Sequence, residues 1–195
     1  MNIIYLHGFK SSSNSIKGNL LRDYCAMHCP DVQVHLPDLN MHPKLALEEV
    51  SKLLKRLPNA VLAGSSMGGF YAHVLAQRHD LPAVLINPAM RPWILFRELF
   101  SAEQFPFKVT DEWSLDQAQL DYLASIAPAS VQNSGKFLLL LQQGDEVLDY
   151  REAQRYYSSG ARRAMIMTDA RGNHGMDDFA EKIPAALQFL SDSIQ

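Results

Sequence analysis

Short apolar runs alternate with longer stretches in which apolar residues recur at helical spacing, and this alternation continues through most of the chain. Such a rhythm is the signature of βα units arranged around a mostly parallel sheet. It predicts strands at Ile3–Leu6, Val32–Leu36, Ala60–Gly64, Ala83–Asn87, Phe137–Leu141 and Ala164–Met167. Helices are expected at Ile16–His28, Leu45–Leu57, Met67–Arg78, Arg151–Tyr157 and Asp177–Ser191. Pro82, Pro88 and Pro128 fall at element ends, where a missing donor and a fixed φ do least harm.

From Met90 to Ala127 the rhythm breaks: no strand-like run occurs, and the segment is too long for one crossover helix. Seven of the 18 aromatic residues lie there, Trp93, Phe96, Phe100, Phe105, Phe107, Trp113 and Tyr122, about twice an even share. The expectation is a single domain over residues 1–195, with a small helical cap inserted at about 90–127. Trp93 and Phe96 are then candidate substrate contacts. Ordinary core packing of two crossover helices is the competing reading.

Composition narrows the class. A chain of 195 residues, 47% hydrophobic and 20% charged, can bury one sizeable core. A net charge of -3 offers no basic face for nucleic acid. The start, Met1 to Gly8, has no basic leader and its apolar run ends after four residues, so no signal peptide or membrane span is expected and the expected location is the cytoplasm. Cys25 and Cys29 stand four apart in a helical segment, poorly placed for a disulfide and too few for a structural zinc site. They read as core thiols.

The strongest chemical signal is Gly64-Ser65-Ser66-Met67-Gly68, which follows the apolar run from Ala60 to Ala63 and opens a helix-like stretch. Strand, G-x-S-x-G and helix is the setting of a nucleophile elbow, in which a tight turn exposes the serine hydroxyl at the edge of a sheet. Larger residues at positions 64 and 68 would collide. A serine hydroxyl is a poor nucleophile at neutral pH, so Ser66 demands a histidine base and an orienting acid. His174 follows the last strand and precedes the last helix, whereas His28, His35, His42, His73 and His79 fall away from the expected edge. The acid is expected just past the strand Phe137–Leu141. Asp145, directly after a glycine turn at the strand end, is the first choice there; Asp149 is the runner-up acid, since Tyr150-Arg151 could begin a helix for which it is the N-cap, with Glu146 and Asp169 behind.

The loop after the first strand, His7-Gly8-Phe9 and the serines that follow, would face the elbow in this architecture. The backbone N–H groups of Phe9 and Met67 are the candidate oxyanion hole. His7 and Gly8 are counted with the substrate-side residues, His7 chiefly as a brace for the loop, and the serines from Ser11 to Ser15 as a polar loop ending in a helix cap.

Taken together, Tyr5-Leu6-His7-Gly8-Phe9, Gly64 to Gly69, Asn87-Pro88-Ala89-Met90-Arg91-Pro92, Gln143 to Tyr150 and Gly172-Asn173-His174 resemble the YqiA-type esterases, a small α/β-hydrolase family of bacteria. The motifs run in the family's order over nearly the whole chain. The most specific are Asn-Pro-Ala-x-Arg-Pro and Gly-Asp-Glu-Val-Leu-Asp-Tyr. Where the family often has Gly-Gly-Asn-His, this chain has Arg171-Gly172-Asn173-His174. The resemblance implies an α/β-hydrolase fold, a three-layer sandwich around about six mostly parallel strands, lacking the superfamily's usual first antiparallel strands. It also implies an esterase with Ser66, Asp145 and His174 as its triad, and a place for Asn87 at the site floor.

The expected activity is cleavage of small carboxylic or thio esters carrying an apolar acyl group, with no metal or organic cofactor. A non-catalytic protein of the same fold that binds a small apolar ligand is the rival. A homodimer contact is a further use for any exposed part of the aromatic segment.

Overall fold

In a computed structural model describing residues 1–159 and 163–194, six strands line up side by side: β1 (Asn2–Leu6), β2 (Gln33–His35), β3 (Ala60–Ser66), β4 (Ala83–Pro88), β7 (Phe137–Gln142) and β8 (Met165–Asp169). Their order is β2-β1-β3-β4-β7-β8, and each neighbouring pair is parallel. Among the described residues this sheet contains only parallel pairs.

The layers follow from alternation along each strand. Ile3, Tyr5, Val61, Ala63, Val84, Ile86, Leu138 and Leu140 point to one face, where α1 (Ile16–His28) and α7 (Phe179–Asp192) cover them with Leu21, Phe179, Ile183 and Leu190. Ile4, Leu6, Leu62, Leu85, Phe137 and Leu139 point to the other. That face is covered by α2 (Pro43–Arg56), α3 (Met67–His79), α4 (Pro92–Leu99), α5 (Gln117–Ile126) and α6 (Tyr150–Ser158). Both faces being buried explains why the central strands read as unbroken apolar runs.

Helix starts follow side-chain chemistry that periodicity alone does not register. Helix α1 begins where Ser15 Oγ accepts the Gly18 N–H, so the polar serine loop does end in a cap. Helix α2 starts at Pro43, two residues before the expected Leu45, because proline suits the first helical position and the His42 ring accepts the Lys44 N–H. Cys25 is buried and Cys29 half-buried, both free; burial pushes the Cys25 thiol up to about 11.

The segment after β4 departs from the expectation that it holds no strand. It contains a hairpin, β5 (Phe107–Lys108) paired antiparallel with β6 (Ser114–Leu115). Two-residue strands are too short to leave a periodic signal. Phe96, Leu115, Leu120 and Leu123 of this segment are buried in the same core as α2 and α3. Phe9 sits at the centre of its aromatics, 4.5 Å from Phe96 and 6.2 Å from both Phe107 and Trp113 between ring centres. Among the described residues no helix is long and apolar enough to cross a membrane.

The core also holds polar residues. His73 on α3 is buried, with Nδ1 bonded to the Tyr157 hydroxyl and Nε2 to that of Tyr156 at 3.2 Å. Burial pushes its pKa down to about 3 from an ordinary 6.5. The unfolded chain therefore holds one more proton at this residue between those values. His73's contribution leaves stability unchanged above pH 6.5 and removes about 1.4 kcal/mol per pH unit below it. Denaturant unfolding of wild type and His73→Gln from pH 7 to pH 4.5 should give a steeper acid decline for wild type. Parallel curves would contradict this account.

Candidate active site

Strand β3 ends in a turn that only small residues can make. A Cβ on Gly64 would lie 2.2 Å from the Gly68 carbonyl oxygen, and one on Gly68 would lie 2.0 Å from the carbonyl oxygen of Leu6 in β1. The second clash is with the neighbouring strand rather than with residue 64. Gly68 thus lets α3 descend onto β1, a reason the local pattern does not disclose. Between them Ser66 takes φ 54 and ψ -119, a strained conformation for a residue with a Cβ, costing of order 1–3 kcal/mol. Its carbonyl accepts the Ala89 N–H at 3.0 Å, which fastens the turn to the end of β4.

The loops that follow β7 and β8 lie side by side because these strands are neighbours in the sheet. They interlock through glycine: a Cβ on Gly144 would meet the Gly172 carbonyl oxygen at 2.2 Å, and Gly172 itself has φ +91. His174 emerges from the second loop with Nε2 3.1 Å from Ser66 Oγ and Nδ1 2.9 Å from Asp145 Oδ2. Asp145 Oδ1 also accepts the N–H groups of Val147 and Leu148, both at 2.9 Å. The carboxylate side chain is only 2% exposed, so its two oxygens are fixed in direction.

The other carboxylates are occupied elsewhere. Asp149 caps α6 through the Arg151 N–H at 3.0 Å, Asp169 pairs with Lys182, and Glu146 accepts the backbone N–H of His174 at 2.9 Å. Asp145 is the one that reaches the ring.

From the other side, the loop after β1 presses against the elbow. A Cβ on Gly8 would stand 3.3 Å from Ser66 Cβ and 3.9 Å from its Oγ, so glycine keeps the space over the hydroxyl open. The Phe9 N–H has no acceptor among the described residues. The Met67 N–H opens α3, where first-turn donors lack partners within the helix and the helix dipole adds partial positive charge.

Several expected substrate contacts turn out to hold the frame instead. His7 is 3% exposed; its Nε2 accepts the Leu39 N–H and its Nδ1 donates to the Gly8 carbonyl, both at 2.9 Å. It braces the loop, and both ring nitrogens are taken. Phe96 is buried against Phe9 and Phe100. Trp93 stacks edge-on to Phe70 and faces a cavity that neither Ser66 nor His174 borders.

Asn87 is 2% exposed. Its Nδ2 donates to the carbonyls of Asn173 at 3.1 Å and His174 at 3.3 Å, and its Oδ1 accepts the Gln142 N–H at 3.0 Å. With φ +39 it occupies a region that asparagine tolerates better than most residues. It ties the histidine loop to the central strands.

Sequence reasoning missed two residues of this frame. Gln142, at the end of β7, accepts the Asn173 N–H at 2.7 Å through Oε1 and donates to Asp178 through Nε2. Lys17 donates to the Gly175 carbonyl at 2.7 Å; burial lowers its pKa, and the Asp177 and Asp145 carboxylates oppose that fall. Their partners are distant in sequence, and no local motif marks either one.

Asn87→Gly removes these bonds while accepting the positive φ. It should lower kcat for whatever reaction His174 serves by about 10- to 100-fold with KM little changed, since small misplacements of reacting groups are this costly. Stability should fall by about 1–3 kcal/mol, because the buried Gln142 N–H loses its acceptor. Steady-state kinetics beside denaturant unfolding checks both.

Chemically, the set offers a hydroxyl in contact with an imidazole acceptor, a carboxylate that keeps the proton on Nδ1, and two backbone donors at the elbow. A family model described as an uncharacterised protein family, UPF0227, matches residues 2–191. A UPF0227 protein of Shewanella woodyi is 25% identical, the match covering 96% of this chain and 98% of that protein. One of Vibrio parahaemolyticus is 24% identical with the same coverage.

Solved structures of similar shape include a putative hydrolase from Agrobacterium vitis, with TM-score 0.78 and 20% identity over 97% of this chain and 87% of that one. Alpha/beta hydrolase domain-containing protein 10 from mouse gives 0.71 and 14% over 100% and 90%. Est1E from Butyrivibrio proteoclasticus, with ferulic acid bound, gives 0.69 and 18% over 99% and 89%. At these identities the likeness carries the fold, that of the α/β-hydrolases.

Proposed function

The chain belongs to the uncharacterised protein family UPF0227, and on that premise we propose that it is a serine hydrolase cleaving carboxylic or thio esters with an apolar acyl group. The motif resemblance read from the sequence is to this same family. The observation that carries the reading is the unbroken chain of contacts from Asp145 through His174 to Ser66, 2.9 Å and 3.1 Å, with the serine strained at the head of α3. Support also comes from a neighbour of the same fold described as a putative hydrolase and from an Est1E structure of that fold with ferulic acid bound.

In the proposed mechanism His174 Nε2 takes the Ser66 proton as Oγ attacks the acyl carbonyl. Asp145 holds the proton on Nδ1 and balances the imidazolium that forms. Negative charge on the former carbonyl oxygen is met by the Phe9 and Met67 N–H groups, each such donor being worth about 3–4 kcal/mol to the transition state. The alcohol or thiol leaves with the proton from His174. Water, activated by the same ring, then releases the acid from Ser66. Phe9, next in the chain to the Gly8 that adjoins Ser66, belongs to an aromatic cluster with Phe96 and Trp113, which favours an apolar acyl group over a sugar or a peptide.

The test is covalent. Treatment with a fluorophosphonate should add one adduct to the intact mass, mapped by digestion to the peptide holding Ser66, and a short-chain nitrophenyl ester should release nitrophenol in a burst. Absence of both would leave a binding protein of the same fold.

A further inference from the structure

Beyond the Ser66 centre, on the sheet face that carries the aromatic segment, lies a cavity of about 440 Å³ between α3, α4 and α6. That volume is in the range of small-molecule sites. None of Ser66, Asp145, His174, Phe9 or Met67 borders it. Its apolar wall is made by Phe70, Met90, Trp93, Pro128 and the ring of Tyr156.

The polar part of the wall is already satisfied from within. His73 Nδ1 is hydrogen-bonded to the Tyr157 hydroxyl, its Nε2 lies 3.2 Å from the Tyr156 oxygen and 3.3 Å from Gln77 Nε2, and the Tyr156 hydroxyl donates to the Pro128 carbonyl at 2.8 Å. These bonds lock α3, α6 and the Pro128 loop around the cavity. The space is therefore preformed rather than a gap that a side-chain rotation would close.

The charges are unequal. Arg91 and Glu152 form an ion pair at the border, which cancels one cation. Arg155, 69% exposed, comes no nearer than 3.9 Å to a carboxylate, that of Asp149, which already caps α6. The lining thus keeps one cation in excess, standing at the mouth. Arg91, Glu152 and Arg155 also border a smaller hollow of about 230 Å³ that reaches Ala89 and Leu148. The ion pair forms part of the partition between the cavity and the acid loop.

We propose that this cavity is a second small-molecule site, separate from the reaction centre, for an amphipathic organic anion: an aromatic or branched apolar body among Phe70, Met90, Trp93 and Tyr156, and a single carboxylate or sulfonate paired with Arg155. The site does not require Ser66 to be reactive and stands whether or not the hydrolase reading holds.

The probe is 8-anilinonaphthalene-1-sulfonate, followed by fluorescence titration on wild type, Ser66→Ala, Arg155→Ala and Ala127→Phe. Wild type and Ser66→Ala should bind one probe per chain with equal Kd. Arg155→Ala should weaken binding about tenfold, the effect of losing one charge-assisted bond. Ala127 lines the cavity, and Ala127→Phe should fill it and abolish saturable binding. An unfolding curve shows whether that variant is folded; Arg155→Ala, on the surface, carries the test if it is not. Unsaturable enhancement on wild type, an unchanged Kd in Arg155→Ala, unaltered binding in a folded Ala127→Phe, or a shifted Kd in Ser66→Ala would each overturn the proposal.

Discussion

Replacing Ser66 by alanine is expected to lower kcat for acyl-ester hydrolysis by about 10⁶-fold, the loss typical of removing a triad nucleophile. The reason is structural as well as chemical. Ser66 Oγ is the atom that stands 3.1 Å from His174 Nε2, and among the described residues no second hydroxyl bonds that nitrogen. Alanine fits the same backbone, so the variant should fold with near wild-type stability and leave the Phe9 and Met67 donors in place. A residual rate of about 10³- to 10⁴-fold over water would then measure what those donors contribute alone. Steady-state hydrolysis of a nitrophenyl ester beside thermal unfolding decides the matter; activity within a factor of ten of wild type would remove Ser66 from the chemistry.

The second large effect concerns a single atom exchange. Asp145→Asn should lower kcat by about 10⁴-fold while the fold is retained. Asp145 Oδ1 accepts two backbone N–H groups, from Val147 and Leu148, and Oδ2 faces His174 Nδ1 at 2.9 Å. An amide must put its oxygen where those two donors are, which leaves its NH₂ facing the ring. Nδ1 then has to accept, the proton moves to Nε2, and the ring cannot take the serine proton. Asp145→Ala imposes no tautomer but leaves two buried donors bare. Asparagine should therefore be the more stable variant and no more active than alanine. Asparagine outperforming alanine in kcat would contradict the assigned orientation, and measuring both variants by kinetics and unfolding distinguishes the cases.

The sequence told what was local. Gly64, Ser66 and Gly68 are bound by one turn, so spacing alone exposes them, and the strands β1, β3, β4 and β7 are legible because burial on both faces leaves polar residues only toward their ends. Asp145 and Asp149 are four residues apart in one loop; the place directly after the strand ranks Asp145 first, and the histidine loop approaches Asp145 while Asp149 caps α6. Asn87 and Gln142 have polar partners 31 to 87 residues away along the chain, so their service as ties is written in the third dimension. Phe96 illustrates the opposite error. An aromatic at helical spacing was offered as a substrate contact, and it fills the space beneath Phe9.

The strand order has a consequence in time. Strands β2, β1, β3 and β4 are contiguous in the sheet and come from the chain as far as Pro88, so every strand that flanks the serine has been synthesised by then. Asp145 and His174 arrive only with β7 and β8, added to one edge. On the proposed reading, a nascent chain thus completes the seat of Ser66 well before the base proposed for it exists, and the half-made protein carries a hydroxyl as unreactive as any other serine.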